Sequence, residues 1–301
     1  MPERAWSGRS YGGGVGTALG CAVARWGGRD LCYLLVILPA LWFWLRHRRA
    51  RRAVATYWRA LRPEQAGWIA QLRVPWHLWI FARGLADRVI DAVAPSSLQR
   101  RDAGMEYLVQ GVAGGRGCIV LSAHIGSFEL AARWLSHRPE PLPCINLVML
   151  DAEDPRVQRH LTRVMGDRPY AVIDLRDPIA ASLSIAGALG RGEICCMLGD
   201  RTAGSVEGTR SADFLGRPIR LPIGPFIAAA VTGAPIVATF CCRTGWATWS
   251  CEVDPPWQIE LGSRAEREAR LAVCVQRWAD RLAEQVRRHP WAWNNYFDVW
   301  A

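Results

Sequence analysis

The stretch CIVLSAHIGSFEL, residues 118–130, decides the fold class. Its first part, 118–123, is a continuous apolar run of the kind found in strands that are buried on both faces of a parallel sheet. A helix-like run follows from Glu129 to Leu135, after a short turn that contains Gly126 and Ser127. Glycine permits a tight turn, and serine favours the first position of a helix. The stretch therefore predicts a strand, a turn and a helix in direct succession.

The same alternation of strands and helices continues toward the C-terminus. Further apolar runs predict strands at 146–150, 170–173, 194–198 and 236–241, and helices at 179–189 and 226–232. This order predicts an α/β fold with a mostly parallel central sheet flanked by helices. Functional sites in such sheets lie beyond the carboxyl ends of the strands.

His124 lies at such a strand end, and Glu129 follows five residues later. Positions five apart on a regular helix are rotated by about 140°, so the two side chains meet only if His124 lies in the turn and Glu129 in the first helical turn. The carboxylate would then hold one imidazole nitrogen while the other faces the site, as a general base requires. A histidine followed by an acid also occurs incidentally, but the position at the sheet edge favours catalysis.

An apolar segment followed by a basic run marks the N-terminal region. The segment Leu31–Leu45 has 15 residues and contains Pro39, whereas a membrane-spanning helix needs about 20. The basic run RHRRARR covers 46–52, and eight of the 16 tryptophans fall within residues 1–79, which favours a membrane interface. We expect a segment that lies on, or marginally spans, a membrane with anionic lipids. The alternative is a buried helix with a solvated basic end.

Two domains are expected from these patterns: a Trp-rich membrane anchor at 1–53, and a catalytic domain at 54–301 that is helical over 54–113 and α/β over 114–301. An aromatic tail, 289–300, is expected either to cover the sheet or to contact lipid.

The composition restricts the possible reaction mechanisms and ligands. All 37 basic residues are arginine, which excludes mechanisms that need a lysine amine and suits contact with phosphate or carboxylate. The ten cysteines lack a C-x-x-C motif, so we expect reduced thiols on the cytosolic side of a membrane. The histidines show no metal-ligand spacing, and no metal is expected.

Several motifs occur in a fixed order along the chain. They are HIGSFE at 124–129, GDR at 199–201, FLGRP at 214–218, LPIGPF at 221–226 and GAPIVATF at 233–240. Together they resemble the lysophospholipid acyltransferase superfamily, and in particular the late acyltransferases of lipid A biosynthesis. The resemblance covers roughly residues 30–300.

The resemblance implies transfer of a fatty acyl group to a hydroxyl or amine of a lipid acceptor, at the cytoplasmic face of the inner membrane. The donor would be an acyl carrier protein or coenzyme A thioester, with no bound cofactor and no acyl-enzyme intermediate. Carried over by position, His124 would deprotonate the acceptor, and Glu129 would orient the imidazole. The acceptor stays open among a lipid A precursor, a lysophospholipid, an aminolipid and a pigment-like lipid.

Candidate substrate-binding residues follow the strand at 194–198. Asp200 and Arg201 should reach the same sheet edge as His124, where the arginine can neutralise a phosphate. A structural Asp–Arg pair is the alternative reading.

Two later arginines are further candidates. The sequence EGTR, 207–210, resembles the acceptor-phosphate motif of the glycerol-phosphate acyltransferases, but it lies too far from its strand to match them in position. Arg210 remains a candidate phosphate contact, and Arg217 is either a phosphate ligand or a loop anchor.

Two other functions remain open from the sequence. A thioester hydrolase could use the same dyad with water as the acceptor. A basic protein that binds an anionic membrane or nucleic acid without chemistry is also compatible with the charge, but no nucleic-acid motif is present, and we expect no nucleic-acid partner.

Overall fold

The structure is a computed structural model that describes residues 13–138, 142–150, 170–201 and 208–300. The described helices are α1 Gly13–Trp26, α2 Gly28–Leu35, α3 Ile37–Arg46, α4 Arg48–Leu61, α5 Gly67–Val93, α6 Met105–Ala113, α7 Phe128–Ser136, α8 Pro178–Gly190, α9 Gly224–Thr232 and α10 Arg267–Arg288, with a 3-10 turn at Pro95–Ser97. The described strands are β1 Gln99–Ala103, β2 Cys118–Ser122, β3 Ile145–Met149, β4 Ala171–Asp174, β5 Ile194–Leu198, β6 Thr209–Phe214, β7 Arg217–Pro222, β8 Ile236–Arg243 and β9 Thr248–Val253.

Seven of these strands form one mixed sheet in the order β1-β9-β8-β2-β5-β3-β4. The five strands from β8 to β4 run parallel to one another, β9 runs antiparallel to β8, and β1 runs parallel to β9. All five residues of β2 are buried, because helices cover both faces of the sheet at its centre. The prediction of an α/β fold with a mostly parallel sheet is confirmed.

Two parts of the strand pattern differ from the sequence-based expectation. The strand β1 falls within 54–113, a stretch expected to be helical; its charged residues lie at the sheet edge, where side chains can stay in solvent. The strands β6 and β7 form a separate antiparallel hairpin that α10 covers. Burial in β6 is uneven along the strand, so this hairpin lacks the continuous apolar run that identifies a central strand.

The N-terminal helices pack around α5, which contacts each of α1, α2, α3 and α4. The helices α2 and α3 together form a 19-residue apolar stretch, Gly28–Arg46, with a mean hydropathy of 1.4 and only 17% of its most apolar window buried. By length and composition, this is the described helical stretch that could cross a membrane. Its exposed apolar side chains are Leu31, Leu34, Leu35, Ile37, Leu38, Leu41, Trp42 and Leu45.

A buried carboxylate joins this helical layer to the sheet. Asp87 of α5 accepts hydrogen bonds from the Tyr33 hydroxyl of α2 at 2.5 Å and from the Trp249 indole of β9 at 2.7 Å, and it pairs with the Arg243 guanidinium. Beside it, the Arg83 guanidinium lies over the ring of Tyr33 at 4.4 Å. Because Asp87 is fully buried, the helices and the sheet share one polar junction.

Candidate active site

The site begins where β2 and β5, neighbouring parallel strands, end at the same sheet edge. Their register pairs Ser122 with Leu198, so the residues two positions further, His124 and Asp200, lie opposite each other. The Nδ1 atom of His124 lies 2.8 Å from Oδ1 of Asp200, and the His124 backbone N–H donates to Oδ2 at 3.1 Å. The expectation that Asp200 reaches the sheet edge of His124 agrees with this geometry.

The Asp200 carboxylate is buried, and both of its oxygens accept hydrogen bonds. Its side chain is 1% exposed, and Oδ2 also accepts a hydrogen bond from the Trp293 indole at 3.1 Å. Burial by itself would raise the pKa of Asp200, but the charge and hydrogen bond of His124, together with the Arg201 charge and the Trp293 hydrogen bond, outweigh it and hold that pKa well below its usual range. The carboxylate is therefore ionised at neutral pH.

This ionised carboxylate defines the state of the imidazole. With Nδ1–H donating to Asp200, the lone pair of a neutral His124 lies on Nε2. Within the described residues Nε2 has no hydrogen-bond partner, and the side chain is 22% exposed. Such an imidazole can accept a proton at Nε2 while Asp200 stabilises the resulting charge.

The turn after β2 requires the glycine at position 126. Gly126 has φ +72°, and a Cβ there would lie 1.8 Å from the carbonyl oxygen of Cys241 in β8. The same carbonyl accepts the Ser127 N–H at 2.9 Å, and the Ser127 hydroxyl caps α7 by accepting from the Leu130 N–H at 3.3 Å. The turn and the helix start expected from Gly126 and Ser127 are present.

Glu129 lies elsewhere than the sequence predicts. It is in the first turn of α7 as expected, but its carboxylate pairs with Arg88 of α5 instead of holding the imidazole. The carboxylate on His124 Nδ1 is that of Asp200, because the parallel register brings that strand end directly opposite. In this structure the His–Glu dyad is thus replaced by a His–Asp pair.

The C-terminal tail supports the site, a role that sequence reasoning missed. The Asn294 N–H donates to the His124 carbonyl at 2.7 Å, and its side-chain amide donates to the Gly126 carbonyl at 2.9 Å. Trp293, 2% exposed, packs in the main core beside the Asp200 carboxylate. The one sequence signal was two adjacent asparagines within an otherwise aromatic tail. Of the two expected roles for this tail, covering the sheet is the one observed for Trp293.

Arg201 lies between the His124–Asp200 pair and this tail. Its guanidinium donates to the Asn294 carbonyl and lies over the Phe297 ring at 4.8 Å. Burial lowers the pKa of Arg201, and the adjacent Asp200 charge opposes that effect. Arginine keeps its charge under such conditions, so a fixed cation lies next to the His124–Asp200 pair.

The other two candidate arginines make contacts elsewhere. Arg210, in β6, forms a two-pronged ion pair with Glu268 of α10, with oxygen–nitrogen distances of 2.6–2.8 Å. Arg217, at the start of β7, lies over the Trp300 ring at 5.0 Å. Glu207, the first residue of the EGTR match, lies outside the described residues. These contacts provide structural roles for both arginines.

Comparison with known proteins adds independent information. The family described as bacterial lipid A biosynthesis acyltransferase matches residues 84–297. The chain is 26% identical over 212 residues to a phosphatidylinositol mannoside acyltransferase of Mycobacterium tuberculosis, covering 67% of this chain and 60% of that protein. It is 24% identical over 203 residues to the protein of the same name from Mycolicibacterium smegmatis, covering 65% and 60%.

The family match spans most of the chain and includes both residues of the dyad, whereas the chain spans about 60% of the length of these mycobacterial relatives. The chain belongs to the bacterial lipid A biosynthesis acyltransferase family.

Proposed function

We propose that this acyltransferase moves a fatty acyl group from a thioester to a lipid hydroxyl, with His124 as the general base and Asp200 as its orienting partner. The observation that carries the proposal is the 2.8 Å contact between His124 Nδ1 and a buried, ionised Asp200, with Nε2 left free within the described residues. A nucleophile positioned at Nε2 would lose its proton to His124 as its oxygen attacks the thioester carbonyl.

The reaction balances without a covalent enzyme intermediate. The acceptor oxygen forms the new ester bond, the carbon–sulfur bond of the donor breaks, and the proton held on Nε2 passes to the departing thiolate. Asp200 stays ionised throughout and stabilises the imidazolium that exists between the two transfers. Arg201 supplies a positive charge beside the reacting groups.

The donor in this proposal is an acyl carrier protein or an acyl coenzyme A, and no bound cofactor is required. The family description points to a lipid A type of acceptor, whereas the mycobacterial relatives are named for phosphatidylinositol mannoside. Both are lipids that carry sugar hydroxyls, so a glycolipid hydroxyl is the acceptor class we propose.

We propose that the protein acts at the cytoplasmic face of the inner membrane. The exposed apolar face of α2 and α3 ends at the basic run 46–52. Next to it lies an open groove of about 500 Å³ lined by Trp44, Arg48, Arg51, Arg52, Gln71 and Leu72. An apolar face beside arginines suits a membrane surface that carries anionic lipids.

The catalytic proposal is tested by acyl transfer in vitro. Purified protein is mixed with vesicles that contain phosphatidylinositol mannoside or a lipid A precursor, and with radiolabelled acyl carrier protein or palmitoyl coenzyme A in parallel. We expect label in the lipid fraction with the wild type, and a loss of at least about a thousandfold with His124→Ala. The control is His137→Ala, because His137 directly follows α7 and its imidazole hydrogen-bonds the exposed Arg133 carbonyl.

The outcomes separate the alternatives. Label released only as free fatty acid would indicate a hydrolase, and equal transfer by His124→Ala would overturn the role of this histidine. The donor that labels the lipid identifies the carrier.

The membrane proposal is tested by vesicle flotation. Leu38, 66% exposed, and Leu45, 60% exposed, are both replaced by glutamate, and we expect binding to anionic vesicles to fall by at least about tenfold. Val273→Glu is the matched control, since Val273 is 69% exposed on α10. Equal flotation of all the variants would refute membrane contact through α3.

A further inference from the structure

A buried polar atom of Arg201, the residue after Asp200, and one of Tyr296, whose hydroxyl senses the Arg201 charge, lack a hydrogen-bond partner within the described residues. They are Nε of Arg201 and the hydroxyl oxygen of Tyr296, and neither has a partner within the described part of the chain. Buried polar groups in folded proteins are nearly always paired, because an unpaired group loses its water and gains nothing in return. Two such buried groups near one candidate site are available to a ligand atom.

Both groups are held in place before any ligand binds. Arg201 follows Asp200 directly, and its guanidinium is fixed by the Asn294 carbonyl and the Phe297 ring. Tyr296 lies in the chain between those two residues. Its ring packs on Phe81 with a centroid distance of 4.9 Å. The two groups therefore need little rearrangement to receive a ligand atom.

The chemistry of the two groups restricts the ligand atom. The Nε–H of arginine can only donate a hydrogen bond. Burial raises the pKa of the Tyr296 hydroxyl well above its usual range, against the opposing effect of the Arg201 charge, so this hydroxyl keeps its proton and can also donate. Two donors and one positive charge fit an oxygen that carries negative charge.

We propose that the Tyr296 hydroxyl, together with Nε of Arg201, binds an anionic oxygen of the substrate. This inference rests on the proposed function, and it adds a specific residue that the dyad does not include. The oxygen is either the thioester carbonyl oxygen, which becomes negative when the acceptor attacks, or a phosphate oxygen of the acceptor lipid. The first would accelerate the chemical step, and the second would hold the lipid before reaction.

The test makes the same substitution, tyrosine to phenylalanine, at two positions and compares its effects on activity and stability. Tyr296→Phe removes only an unpaired hydroxyl. Tyr57→Phe is the control: Tyr57 is 2% exposed, and its hydroxyl donates to the carbonyl of Pro290 in the same tail at 2.7 Å. Kinetics are measured with palmitoyl coenzyme A and phosphatidylinositol mannoside, and thermal unfolding is followed with and without inorganic phosphate.

We expect Tyr296→Phe to lower kcat/KM by about 10- to 100-fold while its melting temperature equals or exceeds that of the wild type. Tyr57→Phe should show the opposite: a lower melting temperature and kcat/KM within about twofold of the wild type. A fall in kcat at constant KM identifies the carbonyl oxygen, and a rise in KM for the lipid identifies the phosphate. Phosphate should also stabilise the wild type more than Tyr296→Phe.

Unchanged kcat/KM in an active Tyr296→Phe enzyme would overturn the inference and leave the proposed function intact. If the wild type itself transfers nothing, the proposed function fails, and the phosphate experiment still decides the inference. Equal protection of the two proteins by phosphate would then overturn it.

Discussion

Replacing Asp200 by asparagine is the sharpest test of the His124–Asp200 pair. The change keeps the shape of the side chain and removes its charge. In the native protein Oδ2 accepts two hydrogen bonds, from the His124 N–H and the Trp293 indole, both at 3.1 Å. An amide satisfies these donors only with its oxygen on that side. Its NH₂ group must then face His124 Nδ1.

This orientation places the imidazole in the wrong tautomer. A donor at Nδ1 requires the lone pair there, which moves the proton to Nε2 and removes the base from the reacting side. Turning the amide over restores the tautomer but sets NH₂ against two N–H donors. Leaving two buried donors unpaired costs about 4 kcal/mol in total, which corresponds to a loss of about a thousandfold in kcat.

The assay is single-turnover transfer from palmitoyl coenzyme A, with near-ultraviolet circular dichroism as the check on folding. Glu129→Gln is the matched control. Its ion pair with Arg88 is partly exposed, and we expect activity within about threefold of the wild type. If Asp200→Asn kept more than a tenth of wild-type kcat while Glu129→Gln lost a thousandfold, Glu129 and not Asp200 would be the orienting carboxylate.

Three further predictions concern stability. Gly126→Ala should destabilise the fold by more than about 2 kcal/mol, measured by urea unfolding, because a Cβ there would overlap the Cys241 carbonyl at a positive φ; unchanged stability would show that this turn can relax. Burial lowers the pKa of His77 to about 4, below its unfolded value of about 6.5, so the folded state resists protonation and stability should fall by about 3 kcal/mol as the pH drops from 6.5 to 4. His77→Gln should flatten that part of the pH–stability curve, and an unaltered slope would contradict the assignment. Asp87→Ala should cost about 3–5 kcal/mol in the same urea assay by leaving the buried Arg243 charge unpaired, and a change under 1 kcal/mol would mean that water solvates that charge.

The central strands were predictable because their signal is local. The strands β2 and β5 are short apolar runs at the centre of the sheet, and the structure begins and ends them within a residue of the expected positions. The edge strand β1, QRRDA, contains no such run. It exists because β9 offers a free edge to pair with, and that is a property of the assembled sheet.

The site was predictable only to the level of strand ends. The sequence places His124 and Asp200 at one edge, but the contact between them depends on β2 and β5 being neighbours, which no local pattern reveals. Spacing along the chain instead favours Glu129. The tail residue Asn294 donates to the His124 carbonyl from 170 positions away in sequence. A contact between residues so far apart in the chain depends on tertiary packing.

The buried junction at Asp87 bears on how this protein can be prepared. Deleting residues 13–46 to obtain a detergent-free protein would remove Tyr33 from Asp87 and open the interior of the helical layer to water. The apolar helices α2 and α3 are thus part of the folded unit, and they also present an exposed hydrophobic surface. The exposed apolar area is better reduced by exchanging outward-facing side chains such as Leu38 and Leu45, which leave that junction whole.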